Sequence, residues 1–366
     1  MHENLSEHLR TFAEQHVQEW RDAQHVGREG WREFGTMGIL GLTLHEGGLT
    51  RFQETVRVLA TVHDPGLVST FAINEIALKL LSKFREQLEP SIIDELTSGR
   101  ANVALSMSEV EAGSDVAGIT APAVRDRDGF VLNGEKAYIS NGPISQYFIV
   151  AMRTNDSAIP ALGISLFLVR RDDPGVTVTT TETVGIPTMP LGNLTMTDVR
   201  IPENRLLGQI NRGFVLLMNI LGFERVIVAV LATAMGHAHL IEGARHCRER
   251  HVFGKSLADL QHTQMIFARL GSRLRSLESF VDDLIKGFDS GNRIDKDEAI
   301  MAKVLSTELL VDIALELGQL YGAQGFFEGH WIANLVNDVR WTGIAGGSNQ
   351  VLLGTLGKHF VYRAQN

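Results

Sequence analysis

Apolar positions recur at helical spacing through the first hundred residues. LSEHLRTFAEQHVQEW (5–20) and FQETVRVLATV (52–62) both place them every three to four residues. Glycine and proline interrupt these runs at HEGGLT, around Gly47 and Gly48, and at HDPG, and both places read as loops. The pattern changes near Ala101. From there to about Arg205 the chain shows short β-like runs: ANVALSM, FVLNGEKAYIS, YFIVAMRT, ISLFLVRR, VTVTTT and LTMTDVRI. Turn signals (AGSD, DRDG, NGP, DDPG) separate them, and no helix-length segment lies between them. Parallel βα units therefore have no room, and an antiparallel sheet or small barrel is expected. From about Asn211 the helical spacing returns. Gly213 to Arg250 is apolar nearly all round, as in helices buried in a core or an oligomer interface. The pattern predicts an α+β chain of three domains: helical over 1–102, antiparallel β over 103–208, helical over 209–366.

A length of 366 residues permits two to three domains and a large core. The net charge of −9 argues against nucleic acid and against anionic membrane surfaces as partners. Cys247 is the one cysteine, which excludes an intrachain disulfide and fits a reducing compartment. The opening MHENLSEHLRTF has no apolar stretch, so no signal peptide is expected, and a cytoplasmic location is. Val226 to Ile241 comes nearest to a membrane span but is too short and contains two histidines. The 13 histidines show no metal-ligand spacing, so no metal is expected, and His237 and His239, two apart on a helix, face different ways. Cys247 reads as an ordinary helix residue, and Trp331 and Trp341 as core or interface. No G-x-G-x-x-G occurs, which argues against a nicotinamide site.

Five segments carry more specific information. They are Ser108-Glu109-Val110-Glu111-Ala112-Gly113-Ser114-Asp115; Gly134-Glu135-Lys136-Ala137-Tyr138-Ile139-Ser140-Asn141; Arg250-His251-Val252-Phe253-Gly254 with Gln261 downstream; Gln319-Leu320-Tyr321-Gly322-Ala323-Gln324-Gly325-Phe326; and Ile344-Ala345-Gly346-Gly347-Ser348-Asn349-Gln350. In this order and spacing the chain resembles the acyl-CoA dehydrogenase family, with a looser match over the first hundred residues. The resemblance implies a C-terminal four-helix bundle, an FAD cofactor, and a homodimer or homotetramer.

By resemblance, Ser108 contacts the pyrimidine side of the flavin, Ser140 contacts N5, and Tyr138 lies against the ring. Read alone, either serine would only end a strand. Ser114 binds flavin or pantetheine, or is plain turn chemistry. Arg250 and Phe253 resemble residues that hold the pyrophosphate and adenine across a subunit interface; arginine suits phosphate because its planar fork donates two parallel hydrogen bonds. Gln261, Gln319, Ser348 and Gln350 complete the cofactor shell. The alternative for Arg250 is a surface arginine on a basic helix end, close to Arg245 and Arg248.

The family's usual base, a glutamate just before G-T, is replaced here by Gly346. Removing a proton alpha to a thioester needs a carboxylate in a dry pocket, and Leu221-Gly222-Phe223-Glu224-Arg225-Val226 places one inside the long apolar helix. Desolvation raises the pKa of such a group and makes it a better base. Glu224 with Gly346 resembles the isovaleryl-CoA dehydrogenase-like branch, where the base sits on this helix. The alternative is that Glu224 pairs with Arg225 or another arginine, since buried carboxylates are usually paired. Arg225, Gly346 and Gly347 are then expected at the substrate, the backbone N–H near Gly346 binding the thioester carbonyl. The implied reaction is dehydrogenation of an acyl thioester, with Glu224 taking the alpha proton and flavin N5 the beta hydride. The carrier is coenzyme A or an acyl carrier protein, the latter in polyketide extender-unit synthesis. An electron-transfer flavoprotein or another acceptor takes the electrons. An oxidase using oxygen and a non-catalytic carrier-binding flavoprotein of the same fold stay open as alternatives.

Overall fold

In the computed structural model, residues 3–363 are described. Residues 1–2 and 364–366, the outer ends of the first and third expected domains, lie outside the described residues. Five helices come first: α1 (Glu3–Ala23), α2 (Arg28–Thr36), α3 (Gly48–Ala60), α4 (Pro65–Leu81) and α5 (Pro90–Thr97). Gly47 and Asp64, read in the sequence as loop residues, are the N-caps of α3 and α4. Pro65 occupies the first turn of α4, where a missing N–H is harmless, and α4 is buried on nearly every side.

Asp64 stitches two regions together. Its carboxylate accepts from the Leu67 amide at 2.7 Å, capping α4, and from the Thr188 hydroxyl at 3.0 Å, while Arg21 Nε lies 3.5 Å away. Asp64→Ala is expected to lower stability by about 1–3 kcal/mol, through loss of the cap and of the Thr188 partner. Asp64→Asn, which keeps a capping oxygen, should lose less. Thermal unfolding of the two variants checks this.

Eight strands follow: β1 (Val103–Ser106), β2 (Ala123–Asp126), β3 (Gly129–Ser140), β4 (Tyr147–Arg153), β5 (Ile164–Arg170), β6 (Val176–Thr181), β7 (Leu191–Pro202) and β8 (Leu206–Leu207). They form two four-stranded sheets, ordered β1-β4-β5-β8 and β2-β3-β7-β6. The strands β4 and β5 are buried on both faces. Phe148, Val150, Met152, Phe167 and Val169 pack against the second sheet, while Ile149, Ala151, Leu166 and Leu168 join the core shared with the helices. This double burial is why YFIVAMRT and ISLFLVRR are continuously apolar. The strand β6 has one face in solvent, and VTVTTT alternates accordingly.

The expected antiparallel pairing fails at one pair. The strands β1 and β4 run parallel, Val103 opposite Tyr147. A parallel pair needs a long crossover. Here the β2–β3 hairpin of the second sheet supplies it, so no helix is required.

The rest is α6 (Gly213–Glu249), a small hairpin of β9 (His251–Val252) and β10 (Lys255–Ser256), then α7 (Gln261–Asp289), α8 (Lys296–Tyr321), α9 (Leu335–Arg340) and α10 (Asn349–Arg363). Against the expectation of no membrane-length segment, α6 is long and apolar enough by length and composition to cross a membrane. However, 61% of its most apolar window is buried inside the protein. It packs against α3, α4, α7 and α8, so its all-round apolarity matches its all-round partners.

Candidate active site

Glu224 lies on α6 and is only 7% exposed. Among the described residues no lysine, arginine or histidine comes within 4.0 Å ion-pair distance of it. The alternative of a plain paired carboxylate is therefore not what the structure shows. Burial pushes its pKa up to about 7, offset in part by the charges of Arg225 and Lys303 and by a hydrogen bond from the Gly346 backbone. At that value a carboxylate can hold or release a proton near neutral pH.

The partner segment is the turn before α10. Gly346 and Gly347 have φ of +66° and +97°, a left-handed backbone that side chains other than glycine rarely adopt. A Cβ on Gly346 would already lie 3.6 Å from Glu224 Cγ and Oε1, so a longer side chain there would compete with Glu224 for one space. Cations hold both carbonyls of this turn. Arg225 Nε donates to Gly346 O at 3.1 Å, and Lys303 Nζ on α8 donates to Gly347 O at 2.9 Å and to Asn349 Oδ1 at 2.8 Å. Arg225, expected at the substrate, is thus bonded to the turn. The Gly346 backbone, expected to meet a thioester carbonyl, lies beside the Glu224 carboxyl and lowers its pKa.

The β-domain brings the first two motifs side by side. The Ala137 amide donates to Ser108 O at 2.9 Å. Lys136, fully buried, reaches Glu109 Oε1 at 2.6 Å, and Glu109 also accepts from the Thr120 and Ala121 amides at 2.8 and 3.0 Å. The register of β3 against β7 breaks between Lys136 and Ile139, and this irregularity leaves Tyr138 at φ +59° and 56% exposed. The hydroxyls of Ser108 and Ser140 are half-buried and make no hydrogen bond to protein among the described residues. Two free hydroxyls flanking an outward aromatic suit the edge and face of a planar heterocycle, so the residues fit a flavin. Next to them, Asn141 bonds to Thr70 on α4 through its side-chain amide, 2.8 Å to Thr70 O, and α4 packs on α6. The flavin-motif strand and the helix of Glu224 thus share one support.

The remaining candidates make no side-chain hydrogen bond to these clusters among the described residues. Ser114 is exposed in its turn, and Ser348 is half-buried just before α10. Arg250, Phe253, Gln261, Gln319 and Gln350 are all exposed, Phe253 at 97%, and no side-chain hydrogen bond links them among the described residues.

Lys303 and Thr307, which bond to Asn349 beside the glycine turn, lie outside the five segments. Glu109, Lys136, Asn141 and Asn349 lie inside them with no role assigned from sequence. The signal for Lys303 was present: a lone cation in the apolar run AIMAKVLSTELL, as Glu224 is a lone anion in its own.

The family description "acyl-CoA dehydrogenase, middle domain" matches residues 104–199, and "acyl-CoA dehydrogenase, C-terminal domain" matches residues 211–361. The chain is 32% identical to the mitochondrial long-chain specific acyl-CoA dehydrogenase of Mus musculus over 98% of its own length and 86% of that protein. It is 28% identical to the mitochondrial isovaleryl-CoA dehydrogenase of Pongo abelii over 97% and 86%. Among solved structures it is similar to an acyl-CoA dehydrogenase from Geobacillus kaustophilus, with a TM-score of 0.88, 27% identity and 98% of both chains covered.

Proposed function

The chain belongs to the acyl-CoA dehydrogenase family, FAD-dependent oxidoreductases acting on CH–CH bonds, and on that footing we propose that it dehydrogenates an acyl-CoA with Glu224 as catalytic base. One observation carries the assignment: a buried carboxylate with no ion-pair partner among the described residues, its pKa raised to about 7, faces a glycine turn where the family's usual base is missing. Glu224 breaks the alpha C–H bond and keeps the proton on its carboxylate. A backbone N–H of the Gly346 turn would meet the thioester oxygen, where negative charge develops. Arg225 and Lys303 hold that turn still, so little reorganisation is needed at the moment of reaction. Bound FAD supplies the acceptor for the beta hydride. Ser108 and Ser140 would hold the ring edge and Tyr138 would cover its face, with Ser114 near the flavin or pantetheine. Arg250, Phe253, Gln261, Gln319, Ser348 and Gln350 would bind the rest of the cofactor, the exposed members from across a homo-oligomer interface, a reading supported by their exposure and by their lack of side-chain hydrogen bonds among the described residues.

Coenzyme A is the carrier in the names of the similar long-chain, isovaleryl and cyclohexane-1-carbonyl enzymes, and one relative belongs to a caffeyl-CoA reductase–Etf complex. An electron-transfer flavoprotein is accordingly the proposed acceptor. Anaerobic addition of acyl-CoA and acyl-carrier-protein thioesters, with flavin absorbance followed, tests the reading. Bleaching by acyl-CoA is expected. Bleaching only by a carrier-protein thioester would move the carrier assignment, and a bound flavin that no thioester bleaches would defeat the dehydrogenase reading.

A further inference from the structure

Lys303 is a fully buried lysine in the third long helix of the C-terminal domain. Among the described residues no carboxylate lies within ion-pair distance of it. Burying an ammonium without a counter-ion is costly, and an apolar side chain of similar length would fill the space without that cost. Its contacts show what the charge is used for. Both of its hydrogen-bond acceptors, Gly347 O and Asn349 Oδ1, belong to the turn that faces Glu224. Asn349 is held in turn by Thr307, one helical turn along α8, through Nδ2 to Oγ1 at 3.0 Å. Asn349 opens α10, so the same contacts fix where that helix begins. The neighbouring carbonyl, Gly346 O, is taken by Arg225 from the opposite helix. Two successive peptide groups are thereby oriented from two helices.

Resting on the base assignment above, we propose that Lys303 is a positioning residue for the dehydrogenation: its buried ammonium locks the Gly346–Asn349 turn against Glu224. A point charge suits this task, because three rotatable donors can satisfy a carbonyl and an amide oxygen together. The charged groups in range are few. Glu224 is surrounded by Arg225 of α6 and Lys303 of α8; Lys303 is surrounded by Glu224 and Arg225 of α6 and by Glu308 of α8. Burial pushes the Lys303 pKa down to about 8, with Glu224 pulling it back up. It therefore still carries its proton at neutral pH, where Glu224 must lose one.

Lys303→Met and Asn349→Leu separate the two effects. Lys303→Met removes both clamp and charge. It is expected to lower kcat about tenfold or more with a smaller change in KM, to move the acidic limb of kcat/KM upward from about 7, and to speed amide hydrogen exchange across residues 342–350. Asn349→Leu keeps the charge. It should speed exchange in the same segment and leave the acidic limb where it is. A Lys303→Met enzyme with unchanged exchange in that segment, or with an unmoved acidic limb, would overturn the proposal and reduce Lys303 to a packing role. The exchange measurement needs no turnover. A wild-type protein whose flavin no thioester reduces would thus defeat the functional reading, while exchange alone would still decide on the clamp.

Discussion

Glu224→Gln is expected to lower turnover by about 10²–10⁴, the usual range for loss of a positioned general base, with FAD content unchanged. The substitution keeps shape and one oxygen, and removes only the ability to take a proton. Because the folded-state pKa of Glu224 is about 7, kcat/KM of the wild-type enzyme should fall about tenfold per pH unit below 7. The same group predicts an opposite effect on stability. In the folded chain it keeps its proton up to about 7, whereas an unfolded glutamate releases it near 4.5. A folded pKa raised above the unfolded one means its contribution is fully present below 4.5 and is lost as pH rises through 7. Glu224→Gln should therefore match wild type near pH 4.5 and exceed it at pH 8 by up to about 3 kcal/mol. Thermal unfolding at the two pH values, alongside turnover, checks both halves. Turnover equal to wild type would remove Glu224 from the base role, and equal unfolding temperatures at pH 8 would mean the carboxylate is not desolvated as the structure has it.

Lys136→Met is expected to destabilise the protein by about 3–5 kcal/mol, the typical effect of removing one partner from a buried ion pair. Lys136 is wholly buried and its ammonium bonds to Glu109. For Glu109, burial is the largest influence and pushes the pKa up, yet Lys136 and the amides of Thr120 and Ala121 together bring it below the ordinary carboxylate value. Without Lys136 the carboxylate keeps its amides and loses its counter-ion. The pair also ties Ser108 to the strand bearing Tyr138 and Ser140, so FAD retention should drop with stability. Adding Glu109→Gln to Lys136→Met should recover part of the loss, since the stranded charge is then gone. Unfolding temperature and flavin content of the single and double variants measure this. A Lys136→Met protein that keeps both at wild-type levels would show that the pair holds neither segment.

The chemistry-bearing positions were readable where a single residue contradicts its surroundings. Glu224 stands out because it is a carboxylate in an apolar helix, and burial follows from its neighbours in sequence. Lys303 stands out by the same rule and was passed over, because a lysine in a helix is unremarkable until its neighbours are known to be buried. Glu109 and Lys136 are 27 residues apart, and nothing in either motif says that one neutralises the other. The helix and strand runs were equally readable, since β4 and β5 are apolar throughout and α6 is apolar all round. The short strand β2 was not, because three of its four residues are exposed and polarity there mimics a loop.

What the amino-acid order determined, then, is local: which segments are helical or extended, which face each buries, and which charges sit where water is excluded. Periodicity and desolvation depend on near neighbours along the chain, so they leave a trace in it. Only the tertiary structure decided that β1 and β4 run parallel through a crossover in the other sheet, and that Arg225 and Lys303 from two helices clamp one glycine turn. It likewise decided that, among the described residues, Glu224 has no ion-pair partner although an arginine follows it directly. These are distances between residues far apart in sequence or on different sides of a helix, and they are set by how the helices and sheets pack.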